Sequence, residues 1–266
     1  MQKLFLFLLF LSIGSFAQSI TDSIGALHYK INITDVNYQN SRIKAKTTVT
    51  IKAKKNNINN IPLSLQGLVV DSVKVAGTKV MHSYISPKLT IPLSTPLNSG
   101  QQVDIDVFYR GQPKKDPTFG GFIFSGNYAF NLGVGFEADP HNMGKVWYPC
   151  IDEFTDRATY EFFITTPPGN YKAFCNGILQ SSSFDSLTGK KTWYWKMDQP
   201  IPTYLASMAV APFYTMKKKY KGIPMEWGIM AGDSGKTKTT FAKIDTAMSA
   251  FIKAYGPYPF DKVGYV

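Results

Sequence analysis

The sequence predicts a mainly β protein: an antiparallel β-sandwich over residues 18–215, followed by a short α/β segment over 216–266. Three observations predict it. Polar and apolar residues alternate with period two from Ala26 onward, the pattern of strands with one buried and one wet face. Short runs of β-branched and aromatic residues then recur about every 8 to 12 residues, punctuated by Gly, Pro and Asn. Only after Gly232 do apolar residues recur at three and four, the spacing of a helix face.

Taken in order, the first element is a leader. Lys3 supplies a positive charge, residues 4–13 are almost wholly apolar, and Ala17 is a small residue suited to cleavage before Gln18. The apolar run is about half the length a spanning helix needs. Residues 1–17 therefore read as a secretory signal peptide, and the chain as exported to the periplasm or the extracellular space. No later stretch is long and apolar enough to be a transmembrane segment.

Residues 28–33 and 43–52 alternate polar and apolar, and the polar stretch 37–41 lets them pair as a hairpin. Further strands are expected at 61–65, 68–75, 80–84, 89–93 and 103–109. The Pro, Lys and Gly content of 112–121 marks an exposed loop, and 122–124 with 128–130 form a hairpin across 125–127. Residues 131–144, with Gly133, Gly135 and Gly144, lack periodicity and read as irregular backbone, where binding groups tend to sit. Strands resume at 158–165, 171–175, 178–181, 192–196 and 204–210, the last apolar enough to be buried on both faces. In the tail, 225–229 is strand-like. Phe241, Ile244, Met248, Phe251, Ile252 and Tyr255 form one core-facing helix stripe that ends at Gly256.

The junction between the two runs of strands is 145–154, where strand-like aromatics meet Pro149, then Cys150 and the adjacent carboxylates Asp152 and Glu153. Adjacent carboxylates on an extended chain point to opposite sides, so this pair fixes a turn rather than serving as acid and base. Cys150 and Cys175 could bridge in an oxidising compartment or stay as two buried thiols.

The order aromatic-Pro-Cys-apolar-Asp-Glu resembles the R-x-x-F-P-C-F-D-E-P signature of zinc aminopeptidases of the aminopeptidase N family. Lys145, Tyr148, Ile151 and Phe154 are its departures. Residues 28–33 are similar to the family's opening H-Y-D-L strand. Residues 89–100 are similar to its L-x-I-x-L…P-L-x-x-G turn, and 171–210 to its N-G…T-W-x-W…T-Y-L-x-x-x-A-V order. The resemblance implies a saddle-like N-terminal sandwich and then the start of a thermolysin-like catalytic domain, incomplete here. It implies an enzyme that uses zinc to remove N-terminal residues from peptides.

In that family a glutamate or glutamine upstream of the signature receives the substrate's free amino group. Glu137 is the one glutamate in 131–144, so the resemblance assigns it substrate binding. It lies eight residues before Lys145, farther than the family spacing, which implies an insertion or else a surface charge.

A zinc peptidase needs two histidines one helical turn apart with a glutamate between them. The chain has three histidines, His28, His82 and His141, far apart and none followed by Glu. No catalytic or metal-ligating residues are therefore assigned, no cofactor is expected for this chain, and it is expected to be inert without the missing catalytic domain. The exposed stripe expected on the last helix favours a fragment over a deliberately shortened protein.

The net charge of +11 comes from lysines scattered over strand faces, with short clusters such as Lys217, Lys218, Lys219 and Lys221. No nucleic-acid motif, nucleophile elbow, phosphate loop or dinucleotide fingerprint accompanies them, so nucleic acid is excluded as a partner. The rival reading is a stand-alone exported β-sandwich that binds or scaffolds without catalysis.

Overall fold

A computed structural model describes residues 19–266. The leader read at 1–17 lies outside the described residues.

The period-two runs form strands as read. In chain order these are β1 (Ile24–Asn37), β2 (Arg42–Ala53), β3 (Ile58–Ser64), β4 (Val69–Val75), β5 (Thr78–Val80) and β6 (Ser83–Ile85). Next come β7 (Lys88–Leu97), β8 (Gln102–Gly111), β9 (Gly120–Ser125), β10 (Tyr128–Gly135), β11 (Arg157–Thr166) and β12 (Lys172–Cys175). The chain continues through β13 (Ile178–Phe184), β14 (Lys191–Pro202), β15 (Met208–Ala211), β16 (Tyr214–Tyr220) and β17 (Ile223–Ile229). It closes with α1 (Ser234–Thr240), α2 (Ile244–Tyr255) and β18 (Val263–Tyr265).

The main sheet has the order β13-β14-β11-β1-β2-β8-β4-β5. Its faces follow the sequence alternation: along β2, Ile43, Ala45, Thr47, Val49, Ile51 and Ala53 are buried and the lysines between them are not. A second sheet, β12-β15-β10-β9, and a small one, β3-β7-β6, complete the sandwich. All four residues of β15 are buried, as expected for a strand covered on both sides. The indole N–H of Trp195 on β14 donates to the Ala173 carbonyl on β12 at 3.0 Å, and the Trp195 ring lies 5.8 Å from that of Phe174. These contacts tie the two layers together.

The sheets are antiparallel except at two pairings. β1 and β11 run parallel, from His28 opposite Thr159 to Ile33 opposite Ile164, and β17 pairs parallel with β18. A tight hairpin forces an antiparallel pair, whereas strands separated by a long crossover are free to run parallel.

Other departures from the reading have local causes. Residues 145–148 are not strand: a 3₁₀ turn covers Gly144–Val146, and Trp147 and Tyr148 drop into the core. β10 runs on to Gly135, because Gly133 lets its backbone pass the Tyr204 carbonyl, where a Cβ would sit 1.5 Å from the oxygen. The single strand expected at 80–84 is split between β5 and β6, in different sheets. The strand expected at 204–210 is shorter, since Thr203–Leu205 is a 3₁₀ turn. The tail helix breaks into α1 and α2, and Phe251 and Tyr255, expected in the core, are 62% and 84% exposed. α2 does end at Gly256, whose φ of 93° suits glycine.

Candidate functional site

The irregular backbone between β10 and the Pro149 turn is organised by a carboxylate, Asp116. Thr118 and Phe119 donate their backbone N–H groups to Asp116 Oδ1, each at 3.0 Å. Glu137 and Ala138 donate theirs to Oδ2 at 2.9 and 3.1 Å. Asp116 is buried, which works to raise its pKa, but these four donors outweigh burial and hold the carboxyl below its ordinary range. One side chain thus pins the 112–121 loop to the start of the 136–144 loop.

Glu137 sits at that pin with its backbone fixed and its side chain exposed. Its Oε1 accepts a hydrogen bond from the Thr118 hydroxyl. The neighbouring rings of Phe119 and Phe136 are exposed, and Phe136 N–H donates to the Phe119 carbonyl at 2.9 Å. Chemically this is an anionic group on a rigid loop beside apolar surface, an arrangement that can receive an ammonium.

Four residues on, His141 places Nδ1 2.9 Å from the Gly135 carbonyl and so closes the loop on itself. The Asn142 side-chain amide donates to the Asp152 carbonyl. Lys145, in the position of the family arginine, donates its ammonium to the Asn142 carbonyl at 2.7 Å and to Asp152 Oδ2 at 2.8 Å. Asp152 is buried and also accepts from the Thr203 hydroxyl at 2.9 Å. Gly144 makes room for this pair, since a Cβ there would lie 3.0 Å from Asp152 Oδ1.

Of the two carboxylates expected to fix the turn, Asp152 does so and Glu153 does not, because Glu153 points to solvent. The turn is held from the other side by Cys150 and Ser64, which exchange backbone hydrogen bonds at 2.7 and 3.0 Å. Cys150 and Cys175 are separate, buried, free thiols, and burial pushes both pKa values up, so neither is a nucleophile.

The three histidines are not brought together. His28 Nδ1 lies 2.7 Å from the Thr159 hydroxyl on the main sheet, and burial lowers its pKa against the pull of Glu161. His82 lies between β5 and β6, and His141 in the loop. Among the described residues no group of three or more His, Cys, Asp or Glu side chains could hold a metal ion.

The sequence reading passed over Asp116. Its signal was present in Asp116-Pro117, a turn-initiating dipeptide whose carboxylate can bond the backbone ahead of it. The bonds to Glu137 and Ala138, about twenty positions on, had no signal at all.

Residues 26–205 match the Peptidase M1 N-terminal domain. The chain belongs to the M1 peptidase family. Leukotriene A-4 hydrolase of Xenopus laevis is 24% identical over 74% of this chain and 33% of its own length. Transcription initiation factor TFIID subunit 2 of Danio rerio is 20% identical over 73% and 20%. Among solved structures, a two-domain M1 zinc metallopeptidase mutant bound to L-tryptophan superposes with a TM-score of 0.79 at 21% identity, over 91% of this chain and 56% of that one. The M1 zinc metallopeptidase of Deinococcus radiodurans gives 0.77 at 20% identity, over 91% and 55%. The likeness to the solved structures establishes the M1 N-terminal fold. The chain spans a third or less of the curated relatives and just over half of the solved ones. No helix of the described residues is long and apolar enough to cross a membrane.

Proposed function

We propose that this chain is the N-terminal region of an exported zinc metallo-aminopeptidase. In this reading, residues 18–215 are the substrate-flanking sandwich, 216–266 begin the catalytic domain, and Glu137 receives the ammonium of a peptide N-terminus. The observation that carries this reading is the Asp116 pin, which fixes the Glu137 backbone while leaving its carboxylate exposed. A carboxylate held this way selects free N-termini over internal residues by charge pairing.

The described residues do not fit a zinc ion, because the histidines are dispersed and no group of three or more His, Cys, Asp or Glu side chains comes together among them. Zinc therefore belongs in this proposal to the complete family enzyme, and the chain by itself is inert. Leader cleavage would give a mature protein beginning at Gln18, a periplasmic or extracellular product.

Three measurements test the reading. The coding DNA beyond Val266 should continue into G-x-M-E-N and H-E-x-x-H. In that complete enzyme, Glu137→Ala should raise KM for aminoacyl dyes about tenfold or more, the loss of one charge-assisted contact, and an unchanged KM would remove Glu137 from the site. Purified 18–266 should release no dye, and chelator-sensitive turnover would overturn the ligand argument.

A second reading, a non-catalytic exported binding or structural protein, is favoured by one observation. The described residues form a closed sandwich core with no metal-competent cluster. An in-frame stop directly after Val266 in the genome would support it.

A further inference from the structure

The chain passes from the sandwich to the tail once, through Pro212 and Phe213 between β15 and β16. The two sides keep separate apolar cores. Phe213 belongs to that of the sandwich, and the tail has its own around Met225, Trp227, Ile229, Met248 and Val263. The seam between them is loosely filled. A cavity of about 430 Å³ lies between Phe130 and Phe213 on the sandwich and Trp227 and Phe241 on the tail. Another, of about 540 Å³, lies between Phe174 and Met197 on one side and Tyr258 and Phe260 on the other. A third, of about 410 Å³, is lined by Leu179 of β13 and by Lys217 and Met225 of the tail. Protein interiors are close-packed, so a seam with this much open space holds its two sides together weakly.

One charged side chain spans the seam. Lys262 follows α2 in a segment where Pro257 and Pro259 prevent a helix from continuing. Alone among the described residues, it lines both the 540 Å³ and the 410 Å³ cavities. Its ammonium donates to the Cys175 carbonyl at the end of β12 at 3.1 Å, and lies 4.0 Å from the centre of the Trp195 ring on β14. It thus reaches both layers of the sandwich from the tail, with its side chain only 9% exposed. Beside it, Gln199 of β14 donates its side-chain amide to Asp261 Oδ2 at 2.7 Å.

The ammonium is buried with little to compensate it. Of its donors, one finds an acceptor within hydrogen-bond distance among the described residues, and the Trp195 ring offsets part of the lost water. Glu226 of β17 stands off at 4.0 Å and is engaged at 3.0 Å by Lys217 of β16, a second cation that repels Lys262. The remaining titratable neighbours are the Cys175 thiol, kept protonated by burial, and Asp261, held by Gln199. Tyr258 turns its hydroxyl to the Lys262 carbonyl at 3.0 Å. A buried, incompletely paired charge opposes closure, whereas the same side chain as a neutral amine does not. Burial accordingly lowers the pKa of Lys262 to about 8, with Glu226 opposing the shift.

We propose that the tail hinges on the sandwich at Pro212 and Phe213, and that the charge on Lys262 sets the seam: the ammonium favours opening, where water solvates it, and the neutral amine favours closure. Opening strands no carboxylate, because Glu226 keeps Lys217 as its partner. The closed form binds a proton at Lys262 less tightly than the open one, so closure strengthens as pH rises between about 8 and 10.5. None of these residues belongs to the Glu137 loop, and the hinge does not rest on the peptidase reading.

The two thiols are natural probes, since Cys175 lines the 540 Å³ cavity at the seam and Cys150 lies in the sandwich core. The test is the alkylation rate of each thiol by iodoacetamide in purified 18–266, divided at each pH by its rate in the urea-unfolded chain and read by peptide mapping. At pH 7, Cys175 should be protected about tenfold or more weakly than Cys150. Its protection should also depend little on low urea, because opening a seam exposes far less surface than unfolding the sandwich. Between pH 7 and 10 it should climb about tenfold or more. Lys262→Met, which keeps the stem without the charge, should raise Cys175 protection at pH 7 and abolish the climb. Equal protection of the two thiols with equal urea dependence would overturn the hinge, a result the parent protein gives without any variant. Cys175 protection that is level with pH in the parent, or that still climbs in Lys262→Met, would overturn the role of Lys262.

Discussion

The sandwich and the tail that follows it share one chemistry and differ in closure. In the sandwich, Tyr29 stacks on Tyr160 at 5.1 Å and meets Tyr148 edge-on at 5.5 Å. Trp147 lies 4.7 Å from Tyr148, and all four residues are fully buried. In the tail, Trp227 is buried among Met225, Ile229, Met248 and Val263, with the Phe241 ring 5.4 Å away. Tyr265 on β18, whose ring lies 6.3 Å from that of Trp227, is exposed, and so are Phe251 and Tyr255 on α2. The difference teaches that apolar periodicity marks the face an element would bury, while burial needs an opposing layer. The turn that carries Tyr148 supplies that layer to Tyr29 on β1, and nothing among the described residues supplies it to Phe251 and Tyr255 at the end of α2.

The comparison breaks outright if the sandwich cannot stand alone. Residues 18–215 should unfold in one cooperative transition in urea, and a chain that folds only with 216–266 attached would make the tail part of the core. Next in size, Trp147→Ala should destabilise the sandwich by about 3 to 5 kcal/mol, the range for large buried aromatics. Trp227→Ala should leave the sandwich transition in place and abolish amide protection across β17 and α2. Hydrogen exchange read segment by segment separates the two.

A smaller effect is expected at the loop anchor. Lys145→Met leaves Asp152 buried without its ion partner, a loss of about 3 kcal/mol, measured by urea unfolding. Lys145→Arg, which keeps the charge, should recover most of it. Tyr148→Phe removes the bond its hydroxyl donates to the Thr203 carbonyl at 2.9 Å and should cost about 1 kcal/mol.

The finest test is pH, where the two regions respond with opposite sign. Burial raises Asp156, beside Ala26 in the sandwich, to about 6, against the N–H of Ala26 and the charge of Lys54. Its native state holds a proton that the unfolded chain has released, so stability present below about pH 4 falls as pH rises through about 6. Burial lowers Lys262 in the tail to about 8, with Glu226 opposing the shift and Lys217 adding to it. There the unfolded chain holds the extra proton, so stability rises with pH between about 8 and 10.5. Asp156→Asn should flatten the acid limb of the stability curve and Lys262→Met the alkaline limb. A variant that flattens the wrong limb would refute the assignment.

Much of the sandwich was legible because alternation is a local record of a half-buried strand. The β1–β2 hairpin, the β9–β10 turn and the buried β15 all followed from residues within reach of one another. The site was less legible. Glu137 could be singled out from its place in an irregular glycine-bearing stretch near the Pro-Cys signature, but Asp116 could not be joined to it. The 3₁₀ turn at Gly144–Val146 hid behind residues that otherwise favour strand, because tertiary packing of Trp147 and Tyr148 overrides their local preference.

The order of residues therefore determined the β class, the family signature and the dispersal of its imidazoles, since period, motif and count are properties of a line. Tertiary structure alone decided that β1 and β11 run parallel and that Asp116 grips the backbone of Glu137. Those are encounters between distant segments. Their free energy resides in the packed layers that bring them together, which no local window of sequence contains.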